Sequence, residues 1–208
     1  MKSLIEAVEK LKDSKVRTLI DARIKEFKAA GRKLDHDIFC ELCFCIMTAN
    51  FNAERSIQIQ NEIKRGFCDL PAEELAERLR ELGHRFPEAR TKYIIEARKH
   101  LDSLKGIMER IEDEQQLRDW FAKNIKGLGY KEASHFLRNI GYENVAIIDF
   151  HIIDVLVRHD IIERPKTLTP KKYLEIEMAL KGLASKLNLS LAELDLYLWY
   201  METGKVLK

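Results

Sequence analysis

A lysine and an aspartate, Lys131 and Asp149, are the residues of this sequence whose types and spacing could carry out chemistry together. Lys131 lies in the stretch KGLGYKEASHFLRNIG, at the start of a predicted helix, and Asp149 directly follows the apolar string VAII. The positive end of a helix dipole favours the neutral form of a nearby amine, and a neutral lysine is a nucleophile that forms Schiff bases. A carboxylate opposite this amine could stabilise a developing cation or assist proton transfer.

The spacing of the two residues allows them to meet. A helix from Lys131 to Ile140 advances by roughly 14 Å, and an extended segment from Asn144 to Asp149 returns by at most roughly 17 Å. Asp149 can therefore lie beside the N-terminal end of the helix that carries Lys131. Both residues also have ordinary interpretations, because a first-turn lysine is commonly solvated and an aspartate before a helix is commonly its N-cap. The spacing alone does not exclude these interpretations.

Two glycines, one residue apart, precede the same helix in the turn Gly127-Leu128-Gly129. Glycine permits a positive φ and a close approach of the backbone, and the first amides of a helix are free to bind an anion. With Lys123 and Lys126 nearby, the turn is suited to holding a phosphate. A simple helix–helix turn is the alternative, and these residues alone leave it open.

Helical periodicity runs through most of the chain, and no segment shows the alternation typical of a strand in a sheet. A proline in the first turn after Asp69 marks one further helix start. The sequence therefore predicts an all-α fold of about ten helices. The predicted helices cover residues 2–12, 15–30, 35–48, 53–65, a segment beginning near residue 71, 89–104, 113–124, 130–140, 150–158, 170–186 and 190–202.

The composition limits the classes of partner. The 208 residues include 36 basic and 34 acidic side chains, which gives a net charge of only +2. A surface that binds nucleic acid must therefore be a local cluster of basic side chains. No apolar run approaches the length of a membrane span, and the N-terminal MKSLIEAVEKLKDSKV has the pattern of an amphipathic helix rather than of a signal peptide. We expect a cytoplasmic protein without membrane contact.

The four cysteines, Cys40, Cys43, Cys45 and Cys68, favour buried thiols over a metal site. Three of them lie in the apolar run DIFCELCFCIM, at helical spacing, and no second cluster of cysteine and histidine follows. The six histidines form no pattern of metal ligands either. We expect neither a metal nor another cofactor.

The stretch IKGLGYKEASHFLRNIG followed by VAIIDFHI resembles the helix–hairpin–helix DNA glycosylase superfamily. Over its whole length, the chain is most similar to the compact archaeal-type branch of 8-oxoguanine DNA glycosylase/AP lyases. The resemblance implies that Lys131 attacks the anomeric carbon of the damaged nucleotide and displaces the base, while Asp149 stabilises the cationic sugar. The resulting Schiff base permits β-elimination, which nicks the strand, and the hairpin from Gly127 to Gly129 holds the DNA backbone.

The resemblance also implies residues that recognise the lesion. In IMTANFNAER, Asn50 matches the residue that fills the gap left by the flipped base, and Arg55 matches an arginine that contacts the widowed cytosine. Phe86 and Trp199 match the residues that sandwich the oxidised base, and Lys208 matches a lysine that helps to distinguish 8-oxoguanine from guanine. The segment with Asn50 and Arg55 can also be a routine helix break, and Trp199 also fits an apolar packing stripe.

The helix pattern and the resemblance together predict two helical subdomains with a cleft between them. One comprises residues 1–35 plus 149–208, with elements of the base pocket, and the other comprises residues 36–148, with the helix–hairpin–helix motif. The implied partner is double-stranded DNA containing 8-oxoguanine opposite cytosine, bound by a monomer. No cysteine follows Cys68, which argues against the iron–sulfur cluster of the endonuclease-III-like branch. A glycosylase for another damaged base and a non-catalytic helix–hairpin–helix DNA-binding protein remain the alternatives.

Overall fold

The chain folds into helices joined by turns and irregular segments, in a computed structural model that describes residues 1–208. The prediction of an all-α fold is confirmed, with no β-strand. None of the helices is both long enough and apolar enough to span a bilayer. The thirteen α-helices are α1 Lys2–Lys12, α2 Lys15–Ala30, α3 Asp35–Thr48, α4 Ala53–Ile63, α5 Gly66–Asp69, α6 Ala72–Glu81, α7 Pro87–Ala97, α8 Leu104–Arg110, α9 Glu114–Asn124, α10 Tyr130–Asn139, α11 Phe150–Arg158, α12 Pro170–Leu187 and α13 Leu191–Thr203.

The helix predicted over residues 89–104 is wrong in its extent. α7 ends at Ala97, a 3-10 helix covers Arg98–Ser103, and α8 then begins as a separate element. The main-chain N–H of Lys105, in the first turn of α8, donates to Asp35 Oδ1 at 2.9 Å. This cap comes from a residue 70 positions away in the sequence, so the local helical periodicity could not predict where α8 begins. The short α5 was not predicted either.

Local capping signals explain why the later helices begin where they do. The side chains of Asp113, Thr169 and Ser190 accept hydrogen bonds from main-chain N–H groups at the starts of α9, α12 and α13. Each cap satisfies a donor that the helix itself leaves free, which is typically worth about 1 kcal/mol. α13 ends at Thr203 and is capped by Gly204, in the left-handed conformation that commonly terminates helices.

Two buried apolar clusters lie side by side in the fold. One is built from α3 to α10 and ends at Val145, and the other combines α1 and α2 with residues from Ala146 onward. α3 is central to the first cluster, in accord with its nearly continuous apolar sequence. The change of cluster after Val145 lies close to the predicted boundary, but Ala146 and Ile148 pack with the second cluster. The division into residues 1–35 plus 149–208 and residues 36–148 stays a proposal.

All four cysteines are free thiols. Cys43 and Cys45 are buried in the first cluster, while Cys40 and Cys68 are partly exposed. Burial and the neighbouring Cys68 raise the pKa of Cys40 to about 12, which keeps this thiol protonated at neutral pH.

Candidate active site

Lys131 and Asp149 line one cleft, whose volume is about 760 Å³. α10 carries Lys131 in its first turn, and Asp149 is the N-cap of α11. The Lys131 ammonium lies 3.9 Å from the carboxylate of Glu132, and no ion pair joins it to Asp149. The side chain of Lys131 is 26% exposed, so its amine is accessible from the cleft. The structure therefore places the amine and the carboxylate in one cavity, where they form no ion pair with each other.

Asp149 has a local structural function in addition to its position in the cleft. Its Oδ1 atom accepts a hydrogen bond from the main-chain N–H of Ile152 at 3.0 Å, which caps α11. One oxygen of the carboxylate therefore has a defined partner in the protein, and the cap fixes the orientation of the side chain. The interpretation of Asp149 as an N-cap and its interpretation as a residue of the cleft are compatible.

The extended segment that leads to Asp149 is held by α12 rather than by a strand. Glu177 accepts a hydrogen bond from the N–H of Ala146 at 2.7 Å. The hydroxyl of Tyr173 donates to the carbonyl of Ala146 at 2.6 Å and accepts from the N–H of Ile148 at 3.2 Å. These bonds satisfy buried main-chain groups that have no sheet partner, and they determine where Asp149 enters the cleft.

A buried ion pair holds Glu177 in place for its hydrogen bond with Ala146. Arg118, on α9, binds Glu177 at 2.6 Å, and both side chains are almost fully buried. The Arg118 guanidinium also lies 4.8 Å from the centre of the Tyr130 ring, at the start of α10. The pair thus links the segment before Asp149 to the two helices that flank the glycine hairpin.

Tyr173→Phe is expected to lower the free energy of unfolding by about 1 to 3 kcal/mol. The substitution leaves the Ala146 carbonyl and the Ile148 N–H buried without their partner. Urea denaturation would measure the effect, with Tyr197→Phe as the control, because Tyr197 is equally buried at 2% exposed and its hydroxyl has no hydrogen-bond partner in the protein. A similar loss in both variants would show that the hydrogen bonds of Tyr173 are not the cause.

The glycine hairpin joins α9 to α10. Gly127 has a φ of +91°, and a Cβ atom at this position would lie 2.6 Å from the ring of Tyr93. Gly129 is extended instead, with a φ of −89°, so only one of the two glycines needs the left-handed region. The N–H of Gly129 donates to Glu132 at 3.2 Å, while Leu128 is buried against the first cluster.

Three of the predicted recognition residues line the cleft with Lys131: Asn50, Trp199 and Lys208. Asn50 is exposed and has a φ of +55°, and the chain turns at this residue after the end of α3. Trp199 is only half-buried, unlike the leucines around it on α13, so packing does not fully account for it. The ammonium of Lys208 binds Glu41 at 2.8 Å, and this contact fixes the last residue of the chain in the cleft.

Phe86 and Arg55 lie outside the lining of the cleft. Phe86 is half-buried and packs against the guanidinium groups of Arg85 and Arg90, at 4.9 and 5.4 Å from its ring centre. Arg85 itself does line the cleft. Arg55 is exposed and donates to the carbonyl of Leu82 at 3.2 Å. The roles that the sequence predicts for Phe86 and Arg55 therefore stay predictions.

Sequence reasoning missed a buried charge pair in the wall of the cleft, Arg138 with Asp195. Burial raises the pKa of Asp195 to about 6, and Asp149 adds to this rise while Arg138 opposes it. The available signal was an acid within the apolar stretch LAELDLYLWY, since a charged residue on a buried helix face requires a partner.

A second buried titratable group, His135, lines the same cleft. Its pKa is lowered well below the usual value, by burial first and then by the positive charges of Arg138 and Lys131. The imidazole is therefore neutral at neutral pH.

The stability contributed by His135 is expected to fall as the pH drops below 6.5. The unfolded chain takes up a proton at this histidine and the folded chain does not, which costs about 1.4 kcal/mol for each pH unit until the lower folded pKa is reached. Comparing the urea midpoints of the wild type and of His135→Phe at pH 7.5, 6.0 and 5.0 separates the contribution of His135 from the other pH-dependent contributions to stability. Because the pKa of Asp195 is raised to about 6, its protonation stabilises the folded state as the pH falls. Asp195 is present in both proteins, so this effect cancels in the comparison. A difference that does not change with pH would contradict the expectation.

The sequence matches a known family over most of its length. The family model for 8-oxoguanine DNA glycosylase covers residues 20–189. The chain belongs to the 8-oxoguanine DNA glycosylase family. It is 53% identical, over 99% of each chain, to the 8-oxoguanine DNA glycosylase/AP lyase of Methanocaldococcus jannaschii. It is 44% identical to that of Thermotoga maritima, again over 99% of each chain.

Solved structures agree with the placement in the 8-oxoguanine DNA glycosylase family. The crystal structure of the M. jannaschii glycosylase/lyase in complex with a 15mer DNA containing 8-oxoguanine gives a TM-score of 0.96 at 53% identity, covering 99% of this chain and 100% of that one. The T. maritima 8-oxoguanine DNA glycosylase gives 0.93 at 44% identity, with coverage of 100% and 99%. An endonuclease III structure, at 17% identity and a TM-score of 0.57, shares the fold alone.

Proposed function

We propose that this chain removes 8-oxoguanine from double-stranded DNA by attack of Lys131 and then nicks the strand through a Schiff base. Membership of the 8-oxoguanine DNA glycosylase family makes it a base-excision-repair enzyme. The observation that carries the catalytic assignment is that Lys131 and Asp149 line one cleft of about 760 Å³. This volume is in the range of pockets that enclose small ligands, and a damaged base must leave the duplex to be reached.

The chemistry assigned to the two residues follows from their functional groups. The amine of Lys131 adds through its nitrogen lone pair to C1′ of the flipped nucleotide as the bond from C1′ to the base breaks, and the base leaves with the bonding electrons. The carboxylate of Asp149 stabilises the positive charge that develops on the sugar. Opening of the sugar gives a Schiff base on Lys131. Loss of a 2′ proton then expels the 3′ phosphate and cleaves the strand.

The hairpin and the loop after α3 are proposed to hold the DNA around the lesion. The main chain from Gly127 to Gly129 contacts the phosphate backbone, supported by exposed basic residues of α9 and the turn. Asn50, exposed at the cleft, fills the gap that the flipped base leaves. Arg55 contacts the cytosine opposite the lesion, since its side chain is exposed and only one of its nitrogens is bound to Leu82.

Trp199 and Lys208 are proposed to contact the oxidised base in the cleft, and Phe86 to close over it from the neighbouring loop. Lys208 is anchored through Glu41 and Gln60, which places its main chain at the cleft in a defined position. Phe86 lies next to Arg85, a residue of the cleft lining, and would reach the base by a rearrangement on DNA binding.

Removal of Lys208 is expected to reduce the preference for 8-oxoguanine over guanine by about 10-fold. The truncated chain loses the contact with Glu41 that holds the terminal residue in the cleft. Single-turnover cleavage of duplexes with either base would measure the preference, and cleavage of a preformed abasic site should be unchanged. An unaltered preference would exclude this role for Lys208.

The proposed function is tested by cleavage assays on duplexes that differ at one position. Strand cleavage at 8-oxoguanine opposite cytosine, with none at guanine and less when adenine is opposite, supports it. Cleavage at an oxidised pyrimidine but not at 8-oxoguanine would indicate a glycosylase for another damaged base. Binding without any cleavage, abasic sites included, would indicate a non-catalytic DNA-binding protein.

We also propose that the protein works as a monomer in the cytoplasm. Light scattering coupled to gel filtration should give a mass of 24.3 kDa for the free protein. A mass near twice this value would contradict the monomer.

A further inference from the structure

Glu132 lies beside both the amine of Lys131 and the main chain of the glycine hairpin. Its Oε2 atom accepts the N–H of Gly129 at 3.2 Å, as a glutamate at the third position of a helix commonly does for the residue that caps it. Its Oε1 atom lies 3.9 Å from the Lys131 ammonium. The side chain is 17% exposed and lines the cleft. The bond to Gly129 therefore holds one oxygen of the carboxylate and leaves the other beside the amine.

Cleavage of the strand needs a base that removes a proton from C2′ of the sugar. Once Lys131 holds C1′ as a Schiff base, the two bonds from its nitrogen to C2′ span roughly 2.5 Å. A general base must approach to about 3 Å from the atom that carries the proton. An oxygen 3.9 Å from the nitrogen can meet this requirement without leaving its place. The positive charge of the Schiff base also attracts a carboxylate.

The order of groups in the sugar matches the order of groups in the protein. C2′ separates C1′, which Lys131 takes, from C3′, which carries a phosphate of the backbone that the hairpin is proposed to hold. Glu132 likewise lies between its two neighbours, with Lys131 on one side and the N–H of Gly129 on the other. The free oxygen of Glu132 is therefore placed for the carbon between the two attachments.

Four other carboxylates belong to residues of the cleft lining, namely Glu54, Asp149, Asp195 and the terminal carboxylate of Lys208. Two of them are paired elsewhere, Glu54 with Lys205 and Asp195 with Arg138. Asp149 keeps one oxygen free of protein partners, as its other oxygen caps α11. None of the four forms an ion pair with the Lys131 amine, whereas Glu132 does. Glu132 is therefore the carboxylate closest to the reacting nitrogen.

The histidines of the lining are less well placed. His135 lies one helical turn further along α10, a rise of roughly 6 Å from Lys131. His151 lies on α11, with its ring edge-on to Trp199 at 5.0 Å between the ring centres. Neither residue is next to Lys131 in the chain or shares a hydrogen bond with the hairpin, as Glu132 does.

Building on the function proposed above, we propose that Glu132 is the catalytic base of strand cleavage. Its free oxygen takes a proton from C2′, and the electrons of that C–H bond form a double bond from C1′ to C2′ while the iminium nitrogen takes back its pair. The nitrogen pair then forms the C=N bond again, and a double bond forms from C2′ to C3′. The 3′ phosphate leaves with the electrons of its bond to C3′. Water hydrolyses the unsaturated Schiff base and frees Lys131.

The test uses Glu132→Gln, because glutamine still accepts from the N–H of Gly129 but takes up no proton. Cleavage of a preformed abasic site should slow by about 100-fold. Release of 8-oxoguanine, measured after hot alkali has cut every abasic site, should stay close to the wild-type rate. The borohydride-trapped adduct should also persist, because the Schiff base forms before the proton is lost.

Glu193→Gln is the matched control. Glu193 accepts from the N–H of Ser190 at 2.7 Å, in the same kind of cap at the start of α13, and it is also partly buried. It does not line the cleft. Its substitution by glutamine should leave release of the base, trapping and cleavage unchanged, and an equal loss of cleavage in both variants would show that the cap is the cause.

Deuterium at C2′ of the abasic site assigns the loss to proton transfer. Glu132→Gln should cleave the deuterated DNA several-fold more slowly than the ordinary DNA, because removal of the proton is now the slow step. An isotope effect near one in this variant would overturn the proposal, as would an unchanged rate of cleavage. Parallel losses of trapping and cleavage would show that Glu132 only positions Lys131.

Two further outcomes separate this proposal from its alternatives. If Asp149→Asn loses cleavage of abasic sites and Glu132→Gln does not, Asp149 is the base and the proposal is wrong. Failure of the proposed function itself looks different, since the wild type would then form no trapped adduct and cleave no abasic site.

Discussion

Lys131→Gln is expected to lose all covalent trapping to DNA and to slow strand cleavage by a factor on the order of 10³ or more. Glutamine keeps half of the aliphatic stem and the place in the first turn of α10, but it has no nucleophilic amine. In the wild type, borohydride reduces the Schiff base between Lys131 and the sugar to a stable amine. The measurement is therefore the yield of a protein–DNA adduct on a denaturing gel, with DNA that contains either 8-oxoguanine or an abasic site.

Lys123→Gln is the matched control for this prediction. Lys123 is exposed on α9, close to the hairpin, and lines a neighbouring shallow cavity together with Gly129 and Tyr130. Its loss should weaken binding to damaged and undamaged DNA alike and reduce the salt dependence by about one ion, while trapping at saturating protein persists. If Lys131→Gln still forms the adduct, or if Lys123→Gln alone abolishes it, the nucleophile has been assigned to the wrong residue.

The position of Lys131 and Asp149 was predictable because it depends on short-range lengths. A helix that advances from Lys131 and a segment that returns to Asp149 have similar lengths, and the apolar string VAII requires an extended, buried course. Most helix boundaries were predictable for the same kind of reason, since caps such as Asp113 and Ser190 act within three residues. The all-α class follows from periodicity summed over the chain.

The contacts that hold these elements together were not predictable from local pattern. Arg118 and Glu177 are 59 positions apart, and each appears in the sequence as an ordinary charged residue on a helix. The cap that Asp35 supplies to α8 likewise joins distant segments. The packing of Phe86 against two arginines depends on how the loop before α7 lies against its neighbours. Such pairings depend on tertiary arrangement, which one sequence does not report.

Asp149→Asn is expected to slow base excision by a factor of about 10² to 10³ with little change in stability. Asparagine caps a helix as well as aspartate does, so its Oδ1 atom can still accept from Ile152 and α11 keeps its start. The negative charge, however, is lost at the point where the sugar becomes cationic. Single-turnover rates with 8-oxoguanine DNA, together with urea denaturation, would separate the two effects.

The chain offers a matched control in Asp113, which caps α9 through the N–H of Gln116 at 2.8 Å and does not line the cleft. Asp113→Asn changes the same groups at the same kind of position and should leave the excision rate unchanged. Asp149→Ala removes the cap as well as the charge, so it should add a loss of about 1 kcal/mol in stability to the loss of rate.

If Asp149→Asn excises the base at the wild-type rate, the carboxylate serves only to begin α11. If it unfolds as readily as the alanine variant, the rate cannot be assigned to charge. The expected combination, a slow enzyme that is as stable as the wild type, would show that the N-cap of α11 also has a chemical function, and that the two functions use different properties of one side chain.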